Sequence, residues 1–350
     1  VKFLQAAKSL SEGAAASHNV GVGAASPAAA TLVVSEEAVD ASVSVSTNIV
    51  QEPPVSADGD GVQGGVQLAM LCEIPFKDVT LARDEDGDEI CLGVGSFKKV
   101  LKAHWKGTTV AVARSIHGTV PDDVRQDLLR ELRTAASLRH PNVVQVWGAA
   151  TVGPKFQIVM EYAEHGSLYN VVHEPKTPLS LQQRRHIIEG MLAGVSYLHG
   201  RKVAHRDIKS PNVLITQHWE AKITDVGESV VKKESVATSL NYTRRGSPLW
   251  MAPEVLEGRP HNVFKADIYS TAIVLHEIMS SQVPFAALPR RGLEHLKEAV
   301  CGGSRPSLES LQSSVFERTV PCLQQAWHHD PEQRPSAADL ASQTRACLPE

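Results

Sequence analysis

Residues 205–215, "HRDIKSPNVLI", bring a carboxylate (Asp207), an ammonium (Lys209) and a carboxamide (Asn212) into one short loop. Such a cluster needs a rigid support, and the flanking sequence supplies one. Upstream, "SLQQRRHIIEGMLAGVSYLHG" has Ser180 and Gln183 spaced as a capping box, with Ile187, Met191, Val195 and Leu198 on one helical face. Downstream, "ADIYSTAIVLHEIM" is apolar on nearly every side and reads as a second, buried helix. Earlier segments alternate as strands do: "KVLKAHW", then "GTTVAVARSI" with β-branched residues at alternate positions. A small β-rich half therefore precedes a larger helical half, an α+β arrangement without internal repeats.

With 350 residues, 42% of them hydrophobic and 21% charged, the chain can form one two-lobed domain plus extra sequence, or two small domains. A net charge of −4 argues against a general nucleic-acid or anionic-membrane binder. Cys72, Cys91, Cys301, Cys322 and Cys347 are far apart, which suits neither a zinc framework nor a disulfide scaffold but fits a reducing, cytoplasmic compartment. No apolar run approaches the roughly 18 residues of a membrane span. The chain starts at Val1 rather than methionine, as expected of a piece of a longer protein.

Residues 1–72 are rich in Ala, Ser, Val and Gly, and bury too little area per ordered residue to fold, so a disordered linker is expected there. A transit peptide fits poorly, because such segments are arginine-rich and the first arginine is Arg83. "VKFLQAAKSL" reads as the end of a helix from an upstream domain. The folded domain is expected over 73–346, with a small lobe over about 73–160, a large lobe over about 164–346, and a tail at 347–350. In "PDDVRQDLLRELRTAASL", Pro121 suits the first helical position, and Asp122 and Asp123 favour its positive end. The helical stripe is Val124, Leu128, Glu131 and Ala135, so a carboxylate stands on an apolar face.

The loop at 205–215 resembles the catalytic loop of protein kinases, in its Ser/Thr form. The resemblance implies a two-lobed kinase fold that uses ATP and Mg2+. In that fold Asp207 orients the attacking hydroxyl, Lys209 steadies the transferred phosphoryl group, and Asn212 is a magnesium ligand. "ITDVGES" resembles the DFG element, with Asp225 as the main magnesium ligand and Val226 replacing its Phe. "GSPLWMAPEV" is similar to the end of an activation segment, and its Glu254 has Arg334 of "DPEQRPS" as the family's partner. Asp267 of "KADIYS" and His205 take structural places. "VMEYAEHGSL" resembles the hinge, with Met160 as gatekeeper and Glu161 to Ala163 facing adenine. Leu92, Gly93, Gly95, Val100 and Ala111 complete the implied nucleotide site. Ser235, Thr238, Ser239 and Thr243 are candidate targets of an upstream kinase, Arg206 being placed to pair with a phosphate. Lys209 and Ser247 favour serine or threonine acceptors.

"WKGTTVAV" resembles the tyrosine-kinase-like group, including Raf-type and plant mitogen-activated kinase kinase kinases. There a lysine follows V-A-V and pairs with the carboxylate that falls here on Glu131; this chain has Ala113 instead. Arg114 is adjacent, but successive strand residues face opposite sides. In "GVGSFKKV" the same parity turns Lys98 and Val100 to the cleft and Lys99 outward. A lysine in place of the third glycine resembles the With-No-Lysine kinases, which supply the missing charge from this position. Glu131 would otherwise be an inward carboxylate without a cation, which is costly unless paired, solvated or protonated. Two readings follow: a Ser/Thr kinase in which Lys98, paired with Glu131, grips the phosphates, or a pseudokinase that regulates a partner by binding nucleotide.

Overall fold

The computed structural model describes residues 72–94, 98–115, 129, 132–151, 156–174, 178–226, 248–289 and 292–350. Residues 1–71 of the expected linker, the helix start at 121–128, Gly95, Glu131, Gly227 and Ser247 lie outside them, as do Ser235, Thr238, Ser239 and Thr243, whereas Cys72 is already joined to the sheet, its carbonyl accepting the Ala149 N–H at 3.0 Å. The first half forms an antiparallel sheet from β1 (Val79–Leu81), β2 (Cys91–Val94), β3 (Lys98–Trp105), β4 (Thr108–Ser115), β5 (Val146–Ala150) and β6 (Gln157–Glu161). The strand order is β1-β3-β4-β6-β5, with β2 also paired to β3.

Register in this sheet decides which side chains can reach the cleft. β3 and β4 are joined by Lys106 (φ 48°) and Gly107 (φ 79°), both left-handed, as a two-residue type I′ hairpin requires. Trp105 therefore faces Thr108, and the ladder counts back through Val100↔Ala113 and Lys99↔Arg114 to Lys98↔Ser115. Opposed residues share a face, so Lys98, Val100, Ala113 and Ser115 lie on one side of the sheet. Ala103, Val110, Val112 and Val159 lie on the other and pack with Ile74. A slip by one residue would exchange Lys98 with Lys99 and Ala113 with Arg114.

Helical residues 132–137 cover the first face of the sheet, where Leu132 packs with Ala149 and Phe156. Leu132 and Ala136 are the buried positions here, each one residue past Glu131 and Ala135, and Ala135 is only half-buried. Of the stripe expected from the sequence only Ala135 lies among the described residues, and the described part of the helix meets the sheet through Leu132.

The second half holds α1 (Leu168–His173), α2 (Leu181–Gly200), α3 (Pro253–Leu256), α4 (Val263–Ser280), α5 (Leu293–Cys301), α6 (Glu309–Gln312), α7 (Val320–Ala326) and α8 (Ala337–Cys347). A small sheet of β7 (Gly166–Ser167), β8 (Val213–Ile215) and β9 (Ala221–Ile223) lies beside them. The α2 capping box forms on both sides: Gln183 N–H donates to Ser180 Oγ at 3.2 Å, and Ser180 N–H donates to Gln183 Oε1 at 2.7 Å. Ile187, Met191, Val195 and Leu198 are all buried. α4 runs through the core, with Ile273, Val274, Leu275 and Ile278 fully covered. Packing continues past residue 346: Leu348 is buried and Arg185 donates to the Pro349 carbonyl at 3.0 Å. Among the described residues, no helix is long and apolar enough to cross a membrane.

Buried His276 on α4 gives this lobe a pH dependence. Burial pushes its pKa below the ordinary 6.5, against a smaller opposing effect from Ser307, whose carbonyl lies 2.8 Å from Nε2. A folded-state pKa below the unfolded one means stability that is complete above pH 6.5 and lost as pH falls through the folded value. His140, lowered by burial and by Lys222, acts in the same sense from a more exposed position. The thermal midpoint is expected to fall as pH drops from about 7.5 to 5.5. His276→Gln should flatten that slope, as measured by calorimetry across the pH series.

Candidate active site

α4 positions the polar loop through Asp267, which is 1% exposed and sits on its first turns. Oδ2 accepts the His205 backbone N–H and Oδ1 the Arg206 backbone N–H, both at 2.7 Å. His199 Nε2, at the end of α2, lies 3.0 Å from Oδ2. Arg206 and Asp225 are held in the left-handed region at φ 67° and 63°, which costs of order 1–3 kcal/mol each for a non-glycine residue.

From that support the loop converges on Asp207. Lys209 Nζ is 2.9 Å from Asp207 Oδ2, and Asn212 Nδ2 donates to Asp207 O at 3.0 Å and to Oδ2 at 3.1 Å. His205 is bonded on both ring nitrogens: Nε2 to the Thr224 carbonyl at 2.8 Å, and Nδ1 to the Asp207 N–H at 3.3 Å. It joins the loop to the residue preceding Asp225. The Asn212 amide hydrogens are thus engaged, leaving its oxygen, with the Asp225 carboxylate, as hard donors of the kind magnesium takes.

Lys98 crosses the cleft to Asp225. Its Nζ lies 2.6 Å from Asp225 Oδ1, linking residues 127 apart in sequence. Burial is the largest single effect on Asp225 and works against its ionisation, but Lys98, His205 and Lys209 together hold the carboxyl below its usual range. Arg114, on the opposite face, is bonded to Glu89. Lys102 shares the Lys98 face, yet its ammonium lies 5.2 Å from the centre of the Tyr162 ring. Four residues of strand put it about 13 Å along from Lys98. Ala113 is 3% exposed and supplies only a methyl group.

The described nucleotide-site candidates lie on the small-lobe strands and just after β6. Ala111 is opposite Met160 and Ala113 opposite Val100, on the Lys98 side of the sheet. Leu92 and Gly93 are exposed on β2, and Ala163 is buried just after β6. Glu161 is half-buried and paired with Lys222, whose Nζ is 2.7 Å from Oε1. Lys222 also donates to the Pro141 carbonyl at 2.8 Å. Val226, beside Asp225, is buried in the large-lobe core. Farther off, Arg334 and Glu254 form a two-pronged ion pair at 2.6 and 2.9 Å.

Two groups escaped the sequence reading. One is the Lys222–Glu161 pair. The other is Glu277, a fully buried carboxylate on α4 contacted by His173, Ser210 and Trp250. Glu277 carries the same signal that singled out Glu131, a charge inside an apolar helical run.

Comparison with known proteins identifies the arrangement. The model of the protein kinase domain family matches residues 88–344. The probable serine/threonine-protein kinase drkC of Dictyostelium discoideum is 33% identical over 261 residues, 73% of this chain and 34% of that one. In Arabidopsis thaliana, the probable serine/threonine-protein kinase SIS8 is 31% identical over 277 residues, 77% of this chain and 25% of that one. The serine/threonine-protein kinase CTR1 of the same plant is 31% identical over 280 residues, covering 79% and 32%. The chain spans a quarter to a third of the length of these relatives.

Proposed function

Because the chain belongs to the protein kinase domain family, we propose that it transfers the γ-phosphoryl group of Mg-ATP to serine and threonine hydroxyls of a protein, with Lys98 as the cation that grips the phosphates. The observation that carries this reading is the 2.6 Å contact between Lys98 Nζ and Asp225 Oδ1. It puts the small-lobe ammonium beside the carboxylate at which phosphate and metal would meet.

Each residue then has one task. Asp207 orients the substrate hydroxyl and takes its proton. Lys209, already 2.9 Å from Asp207, supplies positive charge to the phosphoryl group in transit. Asp225 and the Asn212 oxygen would hold magnesium, which when bound neutralises charge on the phosphates. Lys98 neutralises the phosphates from the small-lobe side, and Glu131 is its second partner in this proposal. The alanines at 111 and 113, with Val100 and Leu92, make an apolar slot for adenine, and the backbone of Glu161 to Ala163 gives it hydrogen bonds. Phosphorylation of the 235–243 segment by an upstream kinase and a cytoplasmic location belong to the same proposal.

Transfer of labelled phosphate to myelin basic protein tests it. Asp207→Asn should lower kcat by about 10²- to 10⁴-fold, the usual worth of a positioned general base. Wild type no faster than Asp207→Asn would favour a nucleotide-binding regulator instead.

A further inference from the structure

We infer that Glu89 is a positioning residue for Lys98: its carboxylate holds Lys99 and Arg114 on the outer face of the small-lobe sheet, and so keeps closed the end of the β3–β4 ladder that carries Lys98. This role rests on the kinase reading above, in which Lys98 grips the phosphates, and it falls to a residue that no motif marks.

The β3–β4 ladder ends at Lys98↔Ser115, and the rung before it sets Lys99 against Arg114. Two cations directly opposite each other weaken a sheet. Lys99 is also the partner of Val94, the last residue of β2. The repulsion therefore falls at the end of both ladders, where pairing opens most easily. It also lies one residue from the ammonium that reaches Asp225.

Glu89 answers that repulsion. Arg114 Nη2 donates to Glu89 Oε2, and Lys99 Nζ lies 4.0 Å from the same oxygen. One carboxylate thus serves a cation from β3 and another from β4, while its own residue stands two places before β2. The backbone beneath it is anchored. Glu89 bridges Arg83, the Ile90 N–H donates to the Ala82 carbonyl at 3.0 Å, and the Ile90 carbonyl accepts the Lys102 N–H at 3.0 Å. The side chains of Arg114 and Glu89 are only 14% and 26% exposed, so water screens their contact in part.

Strand parity gives the arrangement its consequence. At this point β3 carries a cation on each face, Lys98 inward and Lys99 outward, and β4 carries Arg114 outward beside Ala113. With Glu89 in place, both outward cations have an anion on their own side of the sheet. Without it the Lys99–Arg114 rung repels, and Lys98 loses the adjoining backbone pairs that aim it across the cleft.

Kinetics of transfer to myelin basic protein test this on wild type, Glu89→Gln, Arg114→Met and the double variant. Glu89→Gln should lower kcat/KM for ATP about five-fold, the scale of a cross-strand charge pair turned from attraction to repulsion. Adding Arg114→Met removes one of the two opposed cations and should return kcat/KM to that of Arg114→Met alone. A simple loss of packing would be deepened by that second truncation. The ratio of wild type to Glu89→Gln should also shrink between about 0.05 and 0.5 M KCl, as screening takes over from the missing carboxylate. Amide exchange over 98–102 supplies a readout without turnover: faster in Glu89→Gln, and back to the wild-type rate in the double variant. Undiminished kcat/KM in Glu89→Gln would overturn the inference, as would a defect that persists in the double variant. If wild type itself transfers no phosphate, the kinase reading fails, and exchange alone then decides: unchanged rates at 98–102 in Glu89→Gln count against Glu89.

Discussion

Lys98→Met is expected to lower kcat/KM for phosphoryl transfer by about 10²- to 10³-fold, the loss typical of removing one preorganised charge from a transition state. Besides Lys99, which turns to the outer face, three lysines or arginines lie on β3 and β4, and geometry separates them. Arg114 is turned to Glu89 on the outer face. Lys102 lies along the strand against Tyr162. Lys98 alone of the three has a described ion pair to Asp225. Arg114→Met and Lys102→Met should therefore stay within a few-fold of wild type, the range of surface charge changes. The opposite outcome has meaning too. If the Lys98–Asp225 pair were only a lock that blocks the metal site, Lys98→Met would raise activity. Kinetics on the three variants side by side distinguish these results.

Arg334→Leu should destabilise the large lobe by about 3–5 kcal/mol, the cost of stranding a buried charge by removing its partner. Glu254 is 2% exposed and Arg334 1%. The guanidinium also donates to the carbonyls of His328 at 2.8 Å, Lys265 at 3.0 Å and His329 at 3.3 Å. Its removal thus leaves a carboxylate and three carbonyls short of a donor. Against total stabilities of about 5–15 kcal/mol, that loss takes much of the folded margin. Urea unfolding of the large lobe measures it. Arg334→Leu combined with Glu254→Leu should recover part of the loss, because the unpaired carboxylate goes with it. A single variant within about 1 kcal/mol of wild type would show that the pair is not what joins α3 to the 328–334 loop.

What could be read from the sequence was mostly local or periodic. The α2 stripe and its capping box follow from side-chain spacing within twenty residues, and they form as expected. The loop at 205–215 was legible because its residues resemble the catalytic loop of protein kinases over eleven positions. The switch of period showed a β-rich half before a helical one, and the resemblance implied the two-lobed fold. Side-chain contacts across the cleft were harder. Lys98 was matched with Glu131, which lies outside the described residues, whereas its described partner is Asp225, 127 positions away. No local pattern encodes that distance. The sheet register that makes the contact feasible is set by the turn at Lys106–Gly107, a two-residue signal between strands that the motif reading passed over. Glu277 stands in an apolar helical run as Glu131 does, but only the fold reveals the three groups that contact it.

The central claim is that the charge of the absent strand lysine has moved to position 98. It is tested most directly by moving it back. Lys98→Gly should be nearly inert in transfer to myelin basic protein. Adding Ala113→Lys, two places along the same face from Ser115 and opposite Val100, should restore a substantial part of the lost kcat/KM. Lys98→Gly with undiminished kcat/KM would contradict the account outright.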